Sequence, residues 1–334
     1  MRNNGKSQSP SSSQSDKDDS ILLIVIAFSM TVGILLPSFG IIFEPFLLVW
    51  LGFLLFLNLL KMDPHQLTFI IKKPLSIIIF TIIKLIALPI ILFTITNIIY
   101  PSLALSVLLL SGISTGLGAP FVINVFEKRN RLPFVVGMII LTSIVVPFIL
   151  PSLVFLLVDI SKFEIPVGNM VILLAEALFL PLFAGWFTKR KAPKLAKKLE
   201  EKSYILSIIF ISFINFGIFA KYSSYFSSQY SFVITMTIAA FTLYIIYGLI
   251  GYLSAFFLEK EDKSFRIAAF VIMSYVNNIL VVVFASKFFG SEIAALAAFY
   301  NISYYSMIIP MKKIFLLQLH LLDRPGRRKM YGSK

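Results

Sequence analysis

Ser111–Pro120 reads SGISTGLGAP. It lies inside an apolar run from 102 to 127, where hydrophobicity alone asks for one unbroken helix. Gly112, Gly116 and Gly118 weaken a helix, and Pro120 donates no backbone N–H. Together they point to a helix interrupted in mid-run. Close helix packing through small residues is the competing reading. An interruption within hydrocarbon frees backbone groups. The N-terminal ends of half-helices attract anions, and freed carbonyls attract cations. Ser114 and Thr115 add hydroxyls at the same place. Ser114, Thr115, Gly116, Gly118 and Pro120 are therefore candidate substrate- or ion-binding residues.

The surroundings of this stretch are those of a membrane. Charged residues make up only 14% of the 334-residue chain, against roughly 25% in soluble domains. Mean hydropathy is +0.91. Apolar residues come in long runs that do not alternate, which argues for helices rather than a barrel. Ten such segments are expected, near 21–38, 43–60, 74–99, 102–127, 132–158, 166–188, 203–220, 231–258, 265–288 and 292–311.

Basic residues alternate between the connections. They fill the N-terminal tail (Arg2, Lys6, Lys17), KMDPHQLTFIIKK, EKRNR, KRKAPKLAKKLEEK, EKEDKSFR and the C-terminal tail. The intervening connections hold only Lys162, Lys221 and Lys287. By the positive-inside rule, both termini lie in the cytoplasm of a multi-pass protein of the cytoplasmic (inner) membrane. The same alternation accounts for the net charge of +14 without a nucleic-acid partner. Five helices per half is an odd number, so two halves of five would have opposite orientation, the inverted-repeat plan of secondary transporters.

The expected fold class is thus an all-α membrane protein of ten transmembrane helices in two inverted five-helix repeats. The expected divisions are a disordered cytoplasmic tail at 1–20, repeats at 21–160 and 161–311, and a basic cytoplasmic tail at 312–334. The last tail mixes basic and apolar residues and reads either as an amphipathic segment on the membrane surface or as a stop-transfer flank. The lipid bilayer is the one certain partner.

Polar residues inside the spans mark candidate sites. MSYVNN, Met273–Asn278, places Ser274, Asn277 and Asn278 within an apolar run; two adjacent amides there are costly unless paired. A structural interhelical hydrogen bond is the alternative to a transport role. Lys84 sits in mid-span in FTIIKLIALPIILFTI, Phe80–Ile95. Glu176, in VILLAEALFLPL, is the one acid well inside a span and can carry a proton or pair with Lys84; a neutral, structurally hydrogen-bonded glutamate is the alternative.

The chain has no cysteine and only two histidines, His65 and His320, so no metal site or cofactor is expected. No nucleophile–base set or Asp-rich motif indicates an enzyme. A receptor would usually bring a soluble signalling domain.

Three stretches resemble the bile acid:sodium symporter family, in order along most of the chain. FLLFLNLLKMDPHQLTFIIKKPLSIIIFTIIKLIALPIILF (53–93) is similar to its second and third helices. SGISTGLGAPFVINVFEKRNRLPFVVGMIILTSIVVPFILP (111–151) is similar to its fourth and fifth, and SYVNNILVVVFASKFFGSEIAALAAFYNISYYS (274–306) to its ninth and tenth. The resemblance implies a panel of helices one, two, six and seven, and a core of three to five and eight to ten, with broken helices 4 and 9 crossing near the midplane. It implies a small organic anion as substrate, often moved with sodium.

The chain departs from that pattern. Where sodium-coupled members have hydroxyl or amide ligands after the first break, and a glutamate before the amide pair, this chain has Phe121-Val122 and Ile272-Met273. A glutamine that helps bind sodium corresponds to Lys84, five residues before Pro89. Lysine donates and does not accept, so it cannot ligate a cation; its ammonium would replace one, as a fixed charge or a proton carrier. Snorkelling to an interface is the alternative. Two familiar oxygen sources for sodium are therefore missing, which leaves the coupling ion open between sodium and a proton, the latter as in auxin-efflux-type carriers. The related arsenite carriers depend on a cysteine that is absent.

Overall fold

The structure, a computed structural model, describes residues 12–61, 74–126, 131–158, 166–259 and 262–320. Residues 62–73, 127–130 and 321–334, the last in the expected basic tail, lie outside the described residues, as does 1–11 of the expected N-terminal tail. Every named element is helical, and among the described residues backbone pairing between extended segments is confined to one isolated bridge.

Apart from a short helical turn at Ser223–Ser228, the helices in chain order are α1 (Ser12–Leu35), α2 (Pro37–Asn58), α3 (Pro74–Ile99), α4 (Pro101–Ser111), α5 (Ala119–Phe126), α6 (Leu132–Leu157), α7 (Val167–Lys191), α8 (Pro193–Lys221), α9 (Tyr230–Leu258), α10 (Lys263–Ser274), α11 (Asn278–Phe288), α12 (Ser291–Ser306) and α13 (Ile308–His320). Prolines open α2, α3, α4 and α8, where a missing N–H costs no hydrogen bond. α1 reaches back to Ser12, into the stretch expected as a tail.

Six helices are long and apolar enough to cross a membrane: α2, α3, α6, α7, α8 and α9. A seventh span results if α12 and α13, bent by 47°, count as one. The other expected segments are shorter or divided: Ile21–Leu35 within α1, the pair α4 and α5, and the pair α10 and α11. By length alone the described helices therefore give six or seven spans rather than ten.

Two sets of helices pack mainly among themselves. α8 lies against α1 and α2, and α2 against α7. Phe43 stacks on Phe213 at 4.8 Å and Phe53 on Phe210 at 5.0 Å, an aromatic ladder between α2 and α8. In the second set α3 packs on α4 and α6, α9 on α10 and α12, and α11 on α12, with α6 against α7 joining the sets.

Every residue of Phe265–Ser274 in α10 and of Leu103–Ser111 in α4 is buried. Both sets expose large apolar side chains outward, such as Ile24, Leu180 and Phe183 in the first and Leu75, Ile98 and Phe257 in the second. Apolar exposure at that density suits a lipid surround, not water.

Candidate functional site

Both divided helices break where their sequences weaken a helix. α4 ends at Ser111 and α5 begins at Ala119, so the whole of Gly112–Gly118 is non-helical. α10 ends at Ser274, and α11 begins at Asn278 with Asn277 as its N-cap, whose Oδ1 accepts from Leu280 N at 3.4 Å. The two breaks touch. Thr115 and Val276 form the antiparallel bridge, Gly116 N donates to Tyr275 O at 2.7 Å, and Asn277 N donates to Ser114 O at 3.0 Å.

The glycines make this approach possible. A Cβ on Gly116 would meet the Val276 carbonyl oxygen at 2.5 Å. The Tyr304 hydroxyl occupies the space that a Gly118 Cβ would need. Pro120 stands in the first turn of α5, where its missing N–H is harmless.

The C-terminal end of α10 is saturated with donors. Four successive carbonyls would be orphaned by the break. Ile272 O accepts from Thr115 Oγ1 at 3.1 Å, Met273 O from Lys84 Nζ at 3.3 Å, Ser274 O from the Tyr300 hydroxyl at 2.6 Å, and Tyr275 O from Gly116 N. Thr115 is fixed further, because its N–H donates to Thr142 Oγ1 at 3.1 Å. Ser274 Oγ donates back to Phe270 O at 2.8 Å.

Lys84 is fully buried. It does not snorkel to an interface; its ammonium reaches a carbonyl 189 residues away. The local backbone is irregular here. Pro89 cannot donate to Leu85 O and its ring crowds that carbonyl, and α3 opens into a π-helical turn over Ile83–Ala87 that carries Lys84.

Asn278 Nδ2 donates to Asn301 Oδ1 at 2.8 Å and to Ala297 O at 3.3 Å, tying α11 to α12. The side-chain atoms Ser114 Oγ and Asn277 Nδ2 are buried without a partner. Glu176 is exposed on α7 and makes no ion pair with Lys84. Among the described residues no three His, Cys, Asp or Glu side chains group closely enough to hold a metal ion.

A cavity of about 150 Å³ separates the crossing from the first set of helices. Gly118, Asn277 and Tyr304 line its crossing side, and Asn58, Ser207 and Ile26 line the other. No lining side chain carries a charge. Lys84, Thr115 and Ser274 stand behind the crossing rather than in the cavity, so the structure gathers the expected residues, Glu176 excepted, into two layers. Tyr300, Tyr304, Asn301 and Thr142 belong to these layers and were not anticipated. The one available signal was polar or hydroxyl-bearing side chains within apolar runs.

The chain matches the Sodium Bile acid symporter family over residues 48–229, from α2 through the first break to just beyond α8. No match to a curated protein is found. The match spans more than half of the 334 residues, and it covers the glycine-rich break on which the crossing is built; the chain belongs to the sodium bile acid symporter family.

Proposed function

We propose that this protein is a secondary active transporter that carries a small organic anion across the cytoplasmic membrane by alternating access. Its ten spans form two inverted five-helix repeats with both termini in the cytoplasm. The order of elements supports the repeat: two panel helices, one long helix, one broken pair and one closing helix occur in each half.

The observation that carries the reading is the crossing beside the cavity. α5 and α11 both begin there, at Ala119 and Asn278, so two helix N-termini bear on the same space. Each contributes the positive end of a helix dipole. Asn277 adds an unpartnered amide nitrogen. With no charged side chain in the lining, these donors favour an anionic group, and the apolar remainder favours an organic body. The cavity is small beside the roughly 300–1,000 Å³ of ligand pockets, so loading requires the two sets of helices to separate.

Sodium is not required in this reading. A sodium ion needs oxygen ligands, and the carbonyls that α10 presents at its break already accept hydrogen bonds from Thr115, Lys84, Tyr300 and Gly116. α10 contains no acid. The Lys84 ammonium supplies the positive charge at that end. A proton-coupled cycle of the auxin-efflux type is the second reading, favoured by the same occupied carbonyls of α10.

Thermal unfolding of the purified protein in sodium and potassium chloride at equal ionic strength tests this directly. The two curves should coincide. An ion at 100 times its dissociation constant adds about 2.7 kcal/mol, so a sodium-specific rise of several degrees would overturn the sodium-free reading.

A further inference from the structure

Arg266 lies on the second turn of α10, at the end of the helix remote from the crossing. It is 8% exposed. Its guanidinium stacks over the Tyr252 ring at 5.5 Å and the Phe256 ring at 5.3 Å, both on α9. Its Nε is buried without a hydrogen-bond partner, and among the described residues no carboxylate pairs with it. The nearest acid by sequence, Asp262, is engaged: it pairs with Arg131 and accepts from Phe265 N at 2.8 Å. Arginine cannot shed its proton, so the charge is permanent. A charge held this way is costly unless an anion joins it.

The surroundings identify the anion. Tyr252 donates to Gln318 Oε1 of α13 at 3.4 Å, which brings α13 beside the guanidinium. Leu249, Leu253 and Phe257 of α9 and Leu317 of α13 are exposed apolar side chains around the same corner. Lys263 of α10 and Lys312 and Lys313 of α13 add positive charge, offset in part by Glu259. A planar guanidinium at a basic membrane interface, next to an apolar surface of acyl-chain character, suits the phosphate of an anionic lipid.

We propose that Arg266, with Tyr252 and Phe256, forms a headgroup site for an anionic phospholipid between α9 and α13. The lipid completes the coordination of Arg266 and braces α10, whose other end is the crossing. The site is independent of what the cavity carries and of any coupling ion.

The full-length protein in nanodiscs of phosphatidylcholine, with and without phosphatidylglycerol, supplies the test. Phosphatidylglycerol should raise the unfolding midpoint by about 3 °C or more. R266Q should lose that shift, and K313Q, which removes an exposed charge close by, should keep it. An equal shift in R266Q sinks the proposal. Loss of the shift in K313Q to the same degree reduces it to general surface attraction and overturns the site. Inorganic phosphate reproducing the shift in phosphatidylcholine discs would assign the site to a free anion instead. Should R266Q fail to fold, native mass spectrometry of the wild type decides. Retained anionic phospholipid supports the site, and its complete absence overturns it.

Discussion

The two breaks reach one crossing by opposite chemistry. Gly112–Gly118 is long and glycine-rich, and its bare backbone lets Gly116 lie against Val276. The donors to the last turn of α4 are local: Leu108 O accepts from Ser111 Oγ at 3.2 Å and from Gly112 N at 3.0 Å. The second break, Tyr275–Asn277, is short, contains no glycine, and has its freed carbonyls accepting from three side chains and one N–H. One side is shaped by the absence of side chains and the other by an excess of donors. A half-helix end left open can accept a cation or be hydrated; an end capped by its own protein is neutralised in place. In the proposed mechanism, Lys84 is the cation built into this end of α10.

The contrast can be attacked most strongly at its closest contact. Gly116→Val places a branched side chain where the Val276 carbonyl stands. Overpacking costs about 1–3 kcal/mol, and a backbone oxygen cannot rotate aside, so the purified variant should melt several degrees lower and lose transport. A variant with wild-type uptake of an organic anion in proteoliposomes would show that the crossing is not the working site.

Lys84→Met should come next. It leaves Met273 O without its donor and removes the charge from the core. Concentrative uptake in proteoliposomes should disappear while the folded fraction is largely retained. Unchanged uptake would remove the built-in cation from the mechanism.

Tyr300→Phe is subtler. It deletes the hydroxyl that donates to Ser274 O and keeps the ring. Leaving a buried carbonyl unsatisfied costs about 1–3 kcal/mol. The expected result is a lower melting temperature with uptake reduced several-fold rather than abolished. If this variant alone becomes stabilised by sodium over potassium, the opened carbonyl end has become a cation seat, which would sharpen the contrast between the breaks.

Glu176→Gln should do least. The carboxylate is exposed on α7 and is not joined to Lys84. Uptake and its dependence on pH should match the wild type; a tenfold fall would mean that Glu176 meets Lys84 in another state of the cycle.

Much of this architecture is legible in one dimension. Hydrophobic runs and prolines mark helices locally, and α3, α6 and α9 fall within one residue of their expected limits. SGISTGLGAP announces the first break because glycine and proline act on their own backbone, whatever surrounds them. The amide pair marks the second, since two polar residues in a span demand partners. The number of crossings is less legible, because a broken helix is too short to satisfy a length criterion on its own.

What only the tertiary structure decided is which group answers which. The chain places Lys84 in mid-span, but packing of α3 against the crossing turns its ammonium to Met273 rather than into the cavity. It displays Glu176 as an intramembrane acid, and the orientation of α7 turns it outward. Tyr300 and Thr142 look like ordinary span residues until folding sets them beside orphaned groups of distant segments. Backbone preference and hydrophobicity act over a few residues, so they can be read along the chain. A hydrogen bond between residues 84 and 273 depends on how several helices pack at once, and no local pattern records it.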